Sequence, residues 1–122
     1  MKRDLDLIRQ ILLEIEAHPG AEGLSSDGFQ VEGVPAETVI YNLKLAHQAG
    51  LIEGLDLSDF ENFQLLNINL TWEGHEFLDK IKNETVWRQA KSRVSEAADG
   101  TSFEILKCAL TEIIKKLIVT ER

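Results

Sequence analysis

The stretch that decides the fold covers residues 34–79. It begins with VPAETVIYNLKLAHQAGLI at residues 34–52. Pro35 suits the first turn of a helix, where its missing N–H costs no hydrogen bond. Gly50 suits the left-handed residue that ends a helix, and the leucine after it can pack back on the last turn. We therefore predict a helix over residues 35–49 that stops at the glycine and is followed at once by a strand.

The end of this stretch, LLNINLTWEGHEFLD at residues 65–79, has a different period. Leu66, Ile68 and Leu70 alternate with two asparagines, which indicates a strand with one buried face. Thr71 is placed to cap a further helix with its hydroxyl. The stretch thus predicts a helix, a strand, a loop, a second strand and a new helix in succession. This is the order of elements in the second half of a winged helix.

The flanking segments extend this assignment in both directions. Residues 2–17 have the apolar spacing of an amphipathic helix, and residues 29–31 alternate as a short strand that would pair with the later hairpin. Residues 84–122 contain two further apolar patterns with helical spacing. We predict an α+β winged helix over residues 1–83, in the order helix, short strand, helix and two-stranded wing. A C-terminal two-helix extension follows over residues 84–122.

The charge of the chain is unevenly distributed. Its 122 residues carry a formal net charge of −8. Residues 1–79 contain four basic and fifteen acidic side chains, a net charge of −11, whereas residues 80–122 contain nine basic and six acidic ones, a net charge of +3. Proteins that bind nucleic acid normally concentrate positive charge, because neutralising phosphates supplies most of their non-specific affinity. The charge therefore counts against DNA binding by the half that has the winged-helix order.

The sequence also bears on the compartment. No apolar run approaches the roughly 18–20 residues that span a bilayer, so we expect no membrane segment. The N-terminus enters a helical pattern at once and lacks a small-residue cleavage site, which argues against a signal peptide. One cysteine, Cys108, excludes an internal disulfide and fits a reducing compartment, so we predict a cytoplasmic protein. Because Cys108 lies in an apolar helix, we expect it to be buried and inert.

Three phrases of the sequence carry a family resemblance. They are MKRDLDLIR at residues 1–9, YNLKL and AGLIEG within residues 41–54, and LTWEGHEFLD at residues 70–79. Together they resemble a family of small bacterial and prophage proteins that is designated only as a domain of unknown function. The resemblance covers nearly the whole chain. It implies a winged-helix-like fold and no established activity, so no functional residue is transferred from it.

The phrases around Gly50 and Thr71 are also similar, more loosely, to winged-helix transcription regulators. In those proteins the glycine closes the recognition helix and the Leu-Thr pair ends the wing. This similarity implies a regulator-like, DNA-associated protein. Such regulators usually place two helices between the first helix and the wing, whereas only residues 35–49 fit a helix in that interval here.

A DNA-binding helix uses polar side chains toward base edges and nearby cations toward phosphates. The residues that we predict to face nucleic acid are Thr38, Tyr41, Asn42, Lys44 and Gln48. The cations that would have to join in one basic patch are Lys2, Arg3, Arg9, Lys80, Lys82, Arg88, Lys91 and Arg93. The alternative is a solvated helix face beside an acidic loop. The wing favours that alternative, since its charged residues are Glu53, Asp56, Asp59 and Glu61.

The wing also contains apolar residues, which indicate a protein partner. Its acidic residues are separated by Leu55, Leu57, Phe60 and Phe63. An exposed stretch of aromatic and aliphatic side chains suits a groove on another protein. The alternative is that these side chains fold back on the core or form a short helix capped by Ser58.

The last helix has a wide apolar surface, which must be covered by the rest of the protein or by a second subunit. The predicted seam consists of Phe103, Leu106, Leu110, Ile113 and Leu117. It covers about two heptads, fewer than the three or four of a sustained coiled coil. We therefore expect this seam to be covered either by the rest of the protein or by a second copy of the chain in a homodimer.

The sequence shows no pattern typical of catalysis or metal binding. His18, His47 and His75 lie on separate predicted elements, without the close ligand spacing of a metal site. We predict a non-enzymatic protein without a cofactor. Its first predicted role is a regulator-like, DNA-associated winged-helix module. The alternative is a protein–protein adaptor on the same scaffold, which the acidic balance of residues 1–79 favours.

Overall fold

The computed structural model describes residues 3–18, 23–96 and 103–120. Within them the protein has five helices and one two-stranded antiparallel sheet, which confirms the α+β class. In chain order the elements are α1 (Leu5–Ala17), α2 (Ala36–Gln48), β1 (Ile52–Asp56), β2 (Leu65–Leu70), α3 (Trp72–Ile81), α4 (Glu84–Glu96) and α5 (Phe103–Thr120). The chain forms two compact units, and the first of them ends at Leu78, within α3. The boundary predicted from the sequence was residue 83.

Helix α1 begins at Leu5, later than the apolar spacing predicts. The preceding residue, Asp4, has an extended backbone, and its carboxylate accepts a hydrogen bond from the Leu7 N–H at 3.1 Å. A side chain that satisfies a free N–H of the first turn in this way fixes where a helix starts. The buried face of α1 consists of Leu7, Ile8, Ile11, Leu12 and Ile15.

Helix α2 ends as the sequence predicts. Gly50 has a φ of +78°, a conformation that residues with a side chain rarely adopt. Its N–H donates to the His47 carbonyl at 3.0 Å, and the Leu51 N–H donates to the Ala46 carbonyl at 3.0 Å. These two bonds are the Schellman pattern, which satisfies carbonyls that would otherwise lack a partner at the helix end. Leu51 is buried, so the chain turns back onto the helix that it has just left.

The start of α3 is bonded to the end of α2 through Thr71. The Thr71 hydroxyl donates to the Gly50 carbonyl at 2.6 Å and accepts from the Gly74 N–H at 2.9 Å. The Thr71 N–H donates to the Leu51 carbonyl at 3.0 Å. A Cβ atom added to Gly74 would overlap that same carbonyl oxygen, so only glycine permits this approach. We call these four residues the Thr71 joint.

Strands β1 and β2 form the predicted hairpin. Ile52 pairs with Leu70 and Leu55 with Leu66, and the ladder is irregular between these pairs. Two residues of β2 oppose one residue of β1 there, which is a β-bulge. One of the two, Asn67, has a φ of +53°, in the left-handed region that asparagine tolerates better than most residues.

The short strand predicted at residues 29–31 is wrong. Instead Leu24 forms an isolated bridge with Ile68 of β2, where the Ile68 N–H donates to the Leu24 carbonyl at 2.9 Å. The chain then turns, because the Phe29 N–H bonds the Ser26 carbonyl at 3.3 Å. Phe29 is buried as a core residue, which explains the apolar signal without a strand.

The second unit contains two helices that pack on each other. Asn83 caps α4, since its side-chain oxygen accepts from the Val86 N–H at 3.0 Å. Among the side chains of α4 and α5 that the structure describes, the buried apolar ones are Val86, Trp87, Ala90, Leu106, Ala109, Leu110 and Ile113. An ion pair joins the two helices, with 2.9 Å between Arg93 Nη1 and Glu112 Oε2.

The predicted dimer seam is largely internal to the chain. Leu106, Leu110 and Ile113 are buried by the protein itself, so these three side chains are not free to meet a second copy. The side chains of Phe103 and Leu117 lie outside the described residues. Cys108 is exposed, so the prediction that it is buried was wrong. It lies two residues after Leu106, and at about 100° per residue it points away from the covered face.

We predict that Thr71→Val destabilises the protein and Thr71→Ser does not. Valine has the same shape but leaves the Gly74 N–H and Gly50 carbonyl without the side-chain partner, at a cost of roughly 1–2 kcal/mol. Serine retains both bonds. The free energy of unfolding, measured by urea denaturation, checks this. Equal stability of the two variants would contradict the role given to the hydroxyl.

Candidate functional site

Asn42 does not face nucleic acid, contrary to the prediction. It is completely buried, with 0 % of its surface exposed. Its side-chain oxygen accepts a hydrogen bond from the Asp4 N–H at 2.9 Å, and its amide donates to the Thr38 carbonyl at 3.0 Å. Asn42 therefore fastens the start of α1 to α2. The helical spacing contained the signal, because Val39, Asn42 and Ala46 step by three and four along the buried face.

The other four residues predicted to face nucleic acid lie at the surface of α2. Lys44 and Gln48 are exposed, whereas Thr38 and Tyr41 are half-buried. Together with Glu37, the residues Tyr41, Lys44 and Gln48 recur at helical spacing and form one outward face. This face presents one acid, one base, one amide and one phenol, which is a sparse set for contact with phosphates.

The hairpin loop, residues 57–64, is folded by its own hydrogen bonds. The Leu57 N–H donates to the Gln64 carbonyl at 2.9 Å, and the Ser58 hydroxyl accepts from the Gln64 N–H at 2.8 Å. The Asp59 carboxylate accepts from the N–H groups of Glu61 and Asn62 at 2.9 and 2.8 Å. The alternative of a short helix capped by Ser58 is therefore wrong, because these side chains bond the loop backbone in turns instead.

Three of the four apolar side chains predicted on the wing are exposed. Leu55 and Leu57 are about half accessible, at 56 % and 49 %, and Phe60 is fully exposed. Phe63 is half-buried, and its ring centroid lies 5.9 Å from that of His47 on α2. The loop thus folds back on the helix through one aromatic residue and leaves the others in solvent.

A groove runs between α2 and the hairpin loop, and we call it the α2–loop groove. It consists of two adjoining cavities of about 480 and 290 Å³, which share Lys44, Glu61, Asn62 and Phe63. The other residues that line it are Asp27, Glu37, Ile40, Tyr41 and Gln64 in the first cavity and His47, Gln48, Asp56, Ser58, Asp59 and Phe60 in the second. A hydrogen bond of 3.2 Å from Gln64 Nε2 to Asp27 Oδ2 closes one end of the loop.

The groove is acidic. Five carboxylates line it against one lysine. The pKa of Asp56 is lowered from its ordinary value by hydrogen bonds from the Ser58 side chain and backbone N–H. The pKa of Asp59 is lowered by the backbone N–H groups of Asn62 and Glu61. Both groups therefore stay charged at any physiological pH, because a hydrogen bond that an anion accepts favours the ionised form.

The predicted basic patch draws on both units of the chain. Arg3 and Arg9 belong to the first unit, whereas Lys80, Lys82, Arg88, Lys91 and Arg93 belong to the second. Lys2 lies outside the described residues. Several of the cations already have partners: Lys82 pairs with Asp79 at 3.7 Å, Arg93 pairs with Glu112, and Lys91 lies 5.7 Å from the centre of the Trp87 ring.

Neither a cluster of metal ligands nor a membrane-spanning helix is found in the part of the chain that the structure describes. In residues 3–18, 23–96 and 103–120 no three His, Cys, Asp or Glu side chains converge as metal ligands do. None of the helices in these ranges combines the length and apolar character needed to cross a bilayer.

Comparison with known proteins now identifies the family. Residues 2–101 match the family of hypothetical proteins called domain of unknown function 2513. The chain belongs to this family. It is also 43 % identical over 119 residues to a Haemophilus influenzae protein named as uncharacterized, with 97 % of this chain and 99 % of that protein covered. No solved structure matches the chain. The family resemblance of the three sequence phrases is thus confirmed.

We predict that Asn42→Ala lowers the free energy of unfolding by roughly 1–3 kcal/mol, because two hydrogen bonds made by a buried side chain are lost. Gln48→Ala, on the exposed face of the same helix, should change it by less than about 0.5 kcal/mol. Urea denaturation of both variants measures this. If the two changes had similar, small effects, Asn42 would behave as a surface residue, which would contradict its structural role.

A second prediction concerns the stability of the hairpin loop at low pH. Because the pKa values of Asp56 and Asp59 are lowered on folding, their contribution to loop stability is complete above the ordinary value of 3.8 and lost as the pH falls through the lower values. An NMR titration of the two carboxyl groups should give midpoints below 3.8, and the protection of the loop amides against exchange, relative to their intrinsic rates at each pH, should fall in the same range. Midpoints at or above that value would show that the loop does not bind its carboxylates.

Proposed function

We propose that this chain is a non-enzymatic protein-interaction module whose first unit has a winged-helix-like architecture. The architecture is supported by the order of α1, the Leu24 bridge, α2 and the β1–β2 hairpin, with the bridge and β1 on opposite sides of β2. The module departs from regulators of that class in one respect. Between α1 and α2, the described residues 23–35 form turns and one bridge, without a helix.

The observation that carries the proposal is the apolar tip of the hairpin. Leu57 and Phe60 are exposed on a loop that is held in shape by its own hydrogen bonds, and Leu55 is exposed on the adjoining strand β1. Exposed large apolar side chains that lie close together mark surfaces that meet another protein. A loop that is already ordered loses little conformational entropy on binding, which strengthens such a contact.

The DNA-associated regulator predicted first is less well supported. Lys44 is the one Lys or Arg in residues 36–70, which cover both α2 and the hairpin. Asn42, the best candidate for an adenine contact by residue type, is buried and bonded to Asp4 and Thr38. Phosphates approaching this face would meet the five carboxylates of the α2–loop groove.

The proposal also includes a cytoplasmic location, and it leaves out dimerisation through the C-terminal seam. The single cysteine allows no intrachain disulfide, which supports a cytoplasmic location. Dimerisation through the predicted seam is not part of the proposal, since Leu106, Leu110 and Ile113 are already buried within the chain.

The proposal is tested by capture of partners from a lysate of the native host. The intact protein and two variants, Phe60→Ser and Trp72→Ser, serve as bait, and mass spectrometry identifies what each retains. Trp72 is the matched control, because it is a large apolar residue that is exposed on α3 and not on the hairpin loop. We expect proteins that are retained by the intact chain and by Trp72→Ser and lost with Phe60→Ser.

Identical retention by all three baits would contradict the proposal. So would a gel shift in which genomic fragments bind at low salt and dissociate steeply as salt rises, since that dependence is the signature of phosphate contact. We expect no shift even at low salt.

A further inference from the structure

The α2–loop groove combines an apolar lining with uncompensated negative charge. Ile40, Tyr41 and Phe63 contribute apolar surface to it, and the exposed ring of Phe60 stands at its second cavity. A groove of this composition can cover an apolar side chain of a partner while its polar rim selects the flanking residues.

The carboxylates of the groove fall into two groups. Asp27, Asp56 and Asp59 accept hydrogen bonds within the hairpin loop or from it, and so they serve the local structure. Glu37 and Glu61 do not stabilise the loop in this way. Within the part of the chain that the structure describes, neither of these two side chains accepts a hydrogen bond or forms an ion pair. They lie on opposite walls, one on α2 and one on the loop.

We propose that the α2–loop groove binds a basic, partly apolar peptide segment of another protein. Lysine or arginine side chains of that segment lie beside Glu37 and Glu61, and an apolar side chain lies against Phe60 and Phe63. The inference rests on the proposed interaction function and names the chemistry of the partner. It follows from charge complementarity, because a cation between the two glutamates relieves the repulsion among five carboxylates.

A second copy of this chain is a weaker occupant. Its second unit carries the excess of basic residues, but several of those cations are already committed within the chain. Lys82 pairs with Asp79, Arg93 with Glu112, and Lys107 with Glu104. A foreign segment with unpaired cations has no such bonds to give up.

The test is a selection from a random peptide library displayed on phage, with the full-length protein as target. The strongest selected peptide is then synthesised with a fluorescent label, and its dissociation constant is measured by anisotropy at low and moderate salt. We expect the enriched peptides to carry net positive charge and at least one large apolar residue. Their affinity should fall as salt rises, because exposed charges are screened.

Two variants of the groove and one matched control locate the binding site of the peptide. In Glu37→Gln/Glu61→Gln both uncompensated charges are removed without touching the carboxylates that hold the loop, and we expect roughly fivefold weaker binding. The matched control is Glu32→Gln/Glu73→Gln, which removes the same charge from exposed positions outside the groove lining and should change affinity by less than about twofold. Phe60→Ser should weaken binding by roughly tenfold or more.

The outcomes separate this inference from the proposed function. Enriched peptides that are neutral or acidic, yet lose affinity with Phe60→Ser, would overturn the basic partner and leave the interaction module standing. Equal weakening by the two glutamine pairs would show a non-specific charge effect and also overturn it. Failure to enrich any peptide whose binding depends on Phe60 would overturn both. Light scattering that shows a dimer lost in Phe60→Ser would assign the groove to a second copy instead.

Discussion

The first unit depends on one hydroxyl group, that of Thr71. It donates to the carbonyl of Gly50, two residues after the last residue of α2, and accepts from an N–H in the first turn of α3. The same residue follows the last residue of β2, so a single side chain determines where the strand stops and where the next helix starts. Glycines at positions 50 and 74 make the joint possible, one by adopting a left-handed backbone and the other by leaving room for the Leu51 carbonyl.

Two buried polar residues hold the rest of the unit in place. Asn42 joins α2 to the backbone at the start of α1, and Ser26 accepts a hydrogen bond from the Leu65 N–H at 3.0 Å. Both therefore bond backbone groups of another segment, so that no buried side-chain nitrogen or oxygen in the described residues lacks a partner. Buried polar groups with this kind of satisfaction add specificity to an apolar core, since a shifted packing would leave them unpaired.

These constraints decide which surface remains available. With Asn42 turned inward, α2 presents outward a face on which Lys44 is the one cation, opposite a loop rich in carboxylates. Asp56 and Asp59 stabilise that loop by accepting hydrogen bonds from its backbone N–H groups. In this loop conformation Phe60 is exposed to solvent and Glu61 lines the groove. The first unit thus presents a groove lined by five carboxylates and one lysine, which supports the proposal of a cationic partner over that of DNA. The exposed apolar residues of the hairpin support the protein-interaction proposal, and the position of the acids, more than the net charge, supports a basic partner.

The sequence by itself determined the features whose signals lie within a few residues. The glycine stop of α2, the Thr71 cap, the hairpin and the apolar periods of the helices are local, because each depends on backbone conformation or spacing inside one segment. The sequence also shows directly that residues 52–70, which form the hairpin, contain no lysine or arginine. The helical spacing of α2 also contained the signal that Asn42 is inside, because it continues the buried face between Val39 and Ala46. Tertiary structure alone decided that Leu24 rather than residues 29–31 bridges β2 and that Cys108 is outside. In each case the outcome depends on which face another element covers, and residue type within one segment does not contain that information.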